Sequence, residues 1–187
     1  MLVRNLDESI PGLLLVEPQV FRDRRGFFLE TFHRDKYRAA GIRGPFLQDN
    51  HSHSVHGTLR GLHYQLRHPQ GKLIYVVKGE IFDVAVDIRR GSPTFGRWAA
   101  TILSSENKCQ LYIPEGFAHG FSVLSESADI IYKCTDLYDP EDEYGILWSD
   151  PSIGIDWPLR DPILSDKDRR NPELKDVPVT FLPVLRP

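Results

Sequence analysis

Arg60-Gly-Leu-His-Tyr-Gln65 is the stretch whose reading decides the fold. It has the character of a buried strand that carries one histidine among apolar neighbours. Side chains alternate along a strand, so Leu62 and Tyr64 fall on one face while Gly61, His63 and Gln65 fall on the other. A sheet face that only packs normally carries valine or isoleucine. A histidine flanked by a glycine and an amide therefore points to a face left open for a ligand. Taken alone, His63 reads more simply as a hydrogen-bonded core histidine, and only companions elsewhere in the chain reverse that reading.

Working outward, residues 72–87 form two β-runs joined across Lys78-Gly79, which reads as a hairpin. Further strands are predicted at 98–103, 109–113, 117–124 and 130–134, with turn signals such as Gly91-Ser-Pro93 between them. Upstream, residues 12–21 read as a strand broken by Pro18, which argues for a sheet edge. The charged turn Arg22-Asp-Arg-Arg-Gly26 leads into a second strand at 27–30. Residues 33–40, closed by Gly41, are the best helix candidate. Residues 46–51 resume strand character with Gln48 and Asn50 on one face, and His51-Ser-His53 reads as a polar turn.

Short strands at this spacing predict an all-β sandwich or barrel with short peripheral helices. Eight of the fourteen prolines lie from Pro140 onward. That composition predicts a barrel core over about residues 12–138 and a loop-rich tail over about 139–187 that wraps it without regular core strand. At 187 residues a single domain is expected.

Hydrophobic residues at 41% and charged residues at 26% are ordinary globular values. The apolar run 13–16 cannot span a bilayer, and the N-terminus lacks the pattern of a secretory signal. Cys109 and Cys134 sit in strand-like apolar contexts and read as buried thiols, which implies a cytoplasmic protein. A net charge of -3 offers no general attraction to nucleic acid or to an anionic membrane. Any anion has to be met by locally placed Arg and Lys, such as the three arginines of the charged turn.

Two histidine-bearing strands carry the chemistry: Gly61-Leu-His-Tyr-Gln65, and Pro114-Glu-Gly-Phe-Ala-His-Gly-Phe121. The second resembles the Pro-x-Gly-x-x-His motif of the cupin barrels, which implies a cupin-like jelly-roll. Metal-binding cupins supply His-x-His from the first motif, and here Gln65 stands at its second position. An amide is a poor ligand for a divalent transition metal, so no metal is expected.

The resemblance narrows when further segments are added. Arg25-Gly-Phe-Phe-Leu-Glu30, Gln48-Asp-Asn50, Arg60 to Gln65, Gly71-Lys72, Gly79 to Asp87, Pro114 to Phe121 and Ser165-Asp-Lys-Asp168 occur in one order at coherent spacings. Together they are similar to the dTDP-4-dehydrorhamnose 3,5-epimerases, metal-free cupin-like dimers of deoxysugar biosynthesis. The resemblance implies epimerisation at C3 and C5 of a dTDP-4-keto-6-deoxy sugar, with no other cofactor. The alternative is a sister enzyme of antibiotic-sugar pathways that inverts one carbon.

Inverting a carbon beside a ketone requires a base on one face, a donor that holds the enolate, and an acid on the other face. His63 suits the base, since an imidazole titrates near neutrality. The resemblance pairs it with Asp168, gives Lys72 to the enolate oxygen and makes Tyr132 the acid, while His119 helps to position the sugar. It also implies Arg25, Arg60 and Lys167 around the diphosphate and sugar, Glu30, Gln48, Asn50 and Glu143 near the nucleotide, and Tyr138 stacked on thymine. A homodimer that completes each pocket with residues near Arg25 follows from resemblance as well. Strict alternation sets Arg60 and His63 on opposite faces, so a shared pocket requires a bulge at Gly61 or a strand that begins after it.

Overall fold

The structure, a computed structural model, describes residues 1–185. In chain order its strands are β1 (Leu2–Asn5), β2 (Leu14–Glu17), β3 (Val20–Asp23), β4 (Gly26–Leu29), β5 (Gln48–Val55), β6 (Leu59–Gln65) and β7 (Lys72–Lys78). They continue with β8 (Glu80–Asp87), β9 (Trp98–Ser104), β10 (Gln110–Ile113), β11 (Phe117–Val123), β12 (Ser127–Cys134) and β13 (Glu143–Gly145). Helix α1 covers Arg34–Ala39, with the His33 side chain accepting a hydrogen bond from the Lys36 amide as its N-cap.

The strands build two facing antiparallel sheets of a cupin-like jelly roll. One holds six strands in the order β1-β2-β10-β7-β12-β5, the other five in the order β13-β6-β11-β8-β9. Among the described residues the sheets do not join into a closed barrel, and the all-β jelly-roll expectation holds as two facing sheets. Between them lies an apolar core that includes Ile74, Val76, Ile81, Ala85, Leu111, Phe117 and Ile130.

The outer face of each sheet is covered too. Leu62, Tyr64, Val84 and Val86 turn away from the first core and meet Ile146, Ile153, Trp157, Leu174 and Leu182 of the C-terminal region. Tyr37 of α1 and Ile42 cover Val16, Leu73 and Tyr112 on the other sheet. These layers follow from the two-residue alternation: β8 sends Ile81 and Ala85 inward and Val84 and Val86 outward. No helix among the described residues is long and apolar enough to cross a membrane.

Several expectations are corrected. The runs on either side of Lys78-Gly79 are not a hairpin: β7 pairs with β10 and β12, while β8 pairs with β11 and β9. Gly79 turns the chain from one sheet to the other at φ +80°, and a Cβ there would lie 2.1 Å from the Ser127 carbonyl oxygen. Only glycine fits that corner. The segment 12–21 is two strands, and β2 is interior, because β1 takes the edge and Pro18 falls after β2 ends. The polar turn at His51-Ser-His53 is instead continuous strand within β5.

The C-terminal region does more than wrap. Its β13 adds a strand beside β6, and Trp157, Leu174, Val177 and Leu182 bury into the second core. Proline limits regular strand but not packing, so a loop-rich chain still fills a sheet face. Cys134 is buried as expected, whereas Cys109 is only partly buried.

Candidate functional site

A cleft of about 670 Å³ opens between the two sheets. Its six-stranded wall follows directly from register. Tyr132 of β12 stands opposite Asn50 of β5 and Ile74 of β7, and Cys134 stands opposite Gln48 and Lys72. Directly paired residues share a face, so Gln48, Asn50, Lys72 and Tyr132 all line the cleft.

On the five-stranded wall His63 of β6 pairs with His119 of β11. The register then shifts, and Phe121, two residues beyond His119, pairs with Arg60, three residues before His63. One extra residue in β6 is a bulge, and it brings Arg60 round to the cleft beside His63. Gly61 lies at φ +118°, where a Cβ would meet Gly120 Cα at 2.6 Å and the His119 carbonyl oxygen at 2.7 Å. Neither backbone atom can move aside cheaply, so the sequence needs glycine here.

The five-stranded wall pairs its imidazoles with carboxylates. His63 Nε2 lies 2.6 Å from Asp168 Oδ1, in a 3₁₀ turn at Asp168–Arg170. Read alone, Asp168 looks like a surface residue, yet it is buried. Burial pushes its carboxyl up, but the hydrogen bond and charge of His63, together with bonds from Ser165 and the Gly61 amide, outweigh it and leave the pKa lowered. His119 Nε2 sits 3.0 Å from Asp83 Oδ2. Burial lowers the His119 pKa despite that partner. Asp83 escaped the sequence reading; its signal was a carboxylate inside the apolar run of 81–86.

Lys72 and Tyr132 stand differently. Burial lowers the Lys72 ammonium and raises the Tyr132 phenol, and among the described residues neither side chain makes a hydrogen bond. At neutral pH the phenol keeps its proton.

At the mouth of the cleft Glu143 accepts from Tyr138 Oη at 3.0 Å and from Lys167 Nζ. Its Oε1 is 3.9 Å from His63 Nδ1. Arg60 donates to Ser54 Oγ at 3.0 Å. Gln65, which the sequence placed on an open face, is buried and its amide is committed to backbone around residue 138.

All of the residues singled out from the sequence line this cleft except Arg25 and Glu30. Arg25 is exposed on the β3–β4 hairpin, paired with Asp23, and Glu30 pairs with Lys36. His51 and His53 each face one oxygen of Asp129, at 3.0 and 3.1 Å. Among the described residues no three His, Cys, Asp or Glu side chains are grouped to hold a metal. As chemistry, the cleft offers a carboxylate-oriented imidazole on one wall and a protonated phenol with an amine on the other.

The profile of the family described as dTDP-4-dehydrorhamnose 3,5-epimerase matches residues 7–176. A protein of that name from Pseudomonas aeruginosa is 56% identical over 170 residues, covering 90% of this chain and 94% of its own length. Another from Neisseria gonorrhoeae is also 56% identical, over 164 residues; the match covers 87% of this chain but only 50% of that longer protein. Among solved structures, a dTDP-6-deoxy-D-glucose-3,5-epimerase from Legionella pneumophila in complex with dTDP-4-keto-L-rhamnose superposes with a TM-score of 0.94. It is 50% identical and the match covers 99% of this chain and 100% of that one.

Proposed function

We propose a mechanism on one premise: the chain belongs to the dTDP-4-dehydrorhamnose 3,5-epimerase family. The reaction is epimerisation of dTDP-4-dehydro-6-deoxy-D-glucose at C3 and C5 to dTDP-4-dehydro-L-rhamnose, in dTDP-L-rhamnose biosynthesis. One observation carries the assignment of roles. His63, held by Asp168, and the pair Tyr132 and Lys72 reach one cleft from opposite sheets.

Both carbons flank the same C4 ketone, so a single oxyanion donor serves both inversions. An Nε2–H donated to Asp168 leaves the His63 lone pair on Nδ1, which takes the carbon-bound proton. Electrons move into the carbonyl, and the enolate oxygen meets the Lys72 ammonium. That ammonium is strained by burial before substrate binds, so the developing negative charge relieves it. The Tyr132 phenol then protonates the carbon from the far side. Substrate and product are isomers, so the sequence of steps consumes no oxidant and no group donor.

Arg60 and Lys167 are the cations available to the diphosphate, and Gln48, Asn50 and Tyr138 lie toward the nucleotide. A second copy of the chain explains the two residues outside the cleft. Among the described residues the β3–β4 hairpin pairs with no other strand, and Phe21, Phe27 and Phe28 are exposed on it. A homodimer that seats this hairpin on its neighbour covers those rings and brings Arg25 and Glu30 to the partner's cleft. A monomer by light scattering at working concentration refutes the dimer. Free thiols at Cys109 and Cys134 fit a reducing cytoplasm.

Incubation with substrate in heavy water tests the reaction. Deuterium at both C3 and C5 of the product is expected. Label at one carbon makes the protein a single-site epimerase, and label at neither overturns the reading.

A further inference from the structure

We infer that Gln65 is a positioning residue for the nucleotide end of the site: it holds the backbone on both sides of Tyr138 so that this ring is presented, already ordered, to the base. The inference rests on the functional reading above and deepens it. Gln65 stands on β6 two residues beyond His63, is buried, and spends its whole side-chain amide on main chain. Its Oε1 accepts from the Asp139 amide at 3.0 Å, and its Nε2 donates to the Leu137 carbonyl at 3.1 Å and to the His68 carbonyl at 2.7 Å. The carbonyl before Tyr138 and the N–H after it are thus fixed by one side chain.

The Tyr138 amide itself donates to Gln48 Oε1 at 2.8 Å, so the main chain beside the ring is held from the six-stranded wall as well. The ring is half exposed at the cleft, with its hydroxyl on Glu143. An aromatic face that is rigid behind and open in front suits a planar ligand, because the ordering cost is met before binding. Glutamine alone matches the demand for one acceptor and two donors at this reach. Glutamate lacks the donors and would set a carboxylate against two carbonyl oxygens.

Titration calorimetry with dTDP and steady-state kinetics on the full chain test this. Gln65→Glu is expected to raise the dTDP Kd and the substrate KM about tenfold while kcat stays within about twofold. Introduced into Tyr138→Ala, the same change is expected to alter Kd by less than about twofold, because the ring it positions is gone. Equal weakening in both backgrounds, an unchanged Kd, or a fall in kcat at constant KM each overturns the inference. Gln65→Met, uncharged and of similar length, is read by the same criteria where the glutamate variant does not fold. Failure of the wild-type protein to bind dTDP overturns the functional reading itself.

Discussion

The two walls of the cleft treat their ionisable groups in opposite ways. On the five-stranded wall each imidazole has a carboxylate: Asp168 for His63 and Asp83 for His119. On the six-stranded wall Lys72 and Tyr132 are partly buried beside Asn50 and Ile74, and desolvation is the largest cause of their pKa shifts. The contrast matches the demands of the chemistry. A base that cycles its proton needs a fixed tautomer and a partner for its charged form. A donor to an enolate gains from being dry, since its interaction with new negative charge is then unscreened.

Changes on the paired wall have the largest effects. His63→Ala is expected to slow deuterium uptake at both carbons by about 10⁴-fold, the upper range for a general base that also sets orientation. Circular dichroism should show the fold intact, because His63 is partly exposed and Leu62 and Tyr64 carry the packing of β6. Uptake at one carbon with the wild-type rate removes His63 from that inversion.

Lys72→Met probes the dry wall. The rate is expected to fall about 10³-fold, as for loss of an oxyanion donor. Thermal stability is expected to rise slightly, since a partly buried polar amine without a hydrogen-bond partner among the described residues is exchanged for an apolar chain of similar length. A lower Tm would mean that Lys72 is paired in the folded protein and that the two walls are alike.

How much of this contrast was legible in the sequence depends on distance along the chain. The alternation in Arg60 to Gln65 correctly separated Leu62 and Tyr64 from His63, since strand periodicity is local. The shared pocket of Arg60 and His63 was legible only as a condition, a bulge at Gly61, and not as an outcome. It turns on a bulge that Gly61 permits, and a bulge is specified by the partner strand at Gly120 as much as by β6 itself. Asp168 lies 105 residues from His63, so only resemblance could join them.

Gln65 was placed on the right face beside His63, but its role was not legible, because the loop backbone it holds lies 72 and 74 residues away. The apparent hairpin at Lys78-Gly79 failed because a glycine turn reads the same whether the next strand pairs back or crosses to a second sheet. The C-terminal region misled in the other direction, since counting prolines reports on strand regularity and is silent on whether Trp157 and Leu182 bury.

Tyr132→Phe separates the walls within a single turnover. His63 still removes a proton and returns it to the same face, so solvent exchange into unreacted substrate is expected within about tenfold of wild type. Formation of inverted product is expected to fall about 10²-fold, because the far-side donor is gone. Loss of exchange together with product would place Tyr132 in proton removal, and the division of labour between the walls would fail.

The smallest effect concerns stability and belongs to the paired wall again. Asp168→Asn is expected to cost about 2 kcal/mol near neutral pH, the scale of one charge-assisted hydrogen bond. The Asp168 pKa is lowered in the fold from its ordinary 3.8, with burial opposing and the His63 bond and charge prevailing. A lowered carboxyl pKa means that the unfolded chain binds the proton more readily. The stabilisation is therefore complete above the unfolded value and drains away as pH falls from there through the folded value. Urea titrations of both proteins from about pH 7 to about pH 3 should show a constant gap that closes only at the acid end. A gap that widens toward low pH would reverse the sign of the shift, and Asp168 would then be a carboxyl kept protonated by burial, unable to hold the imidazolium that the base wall depends on.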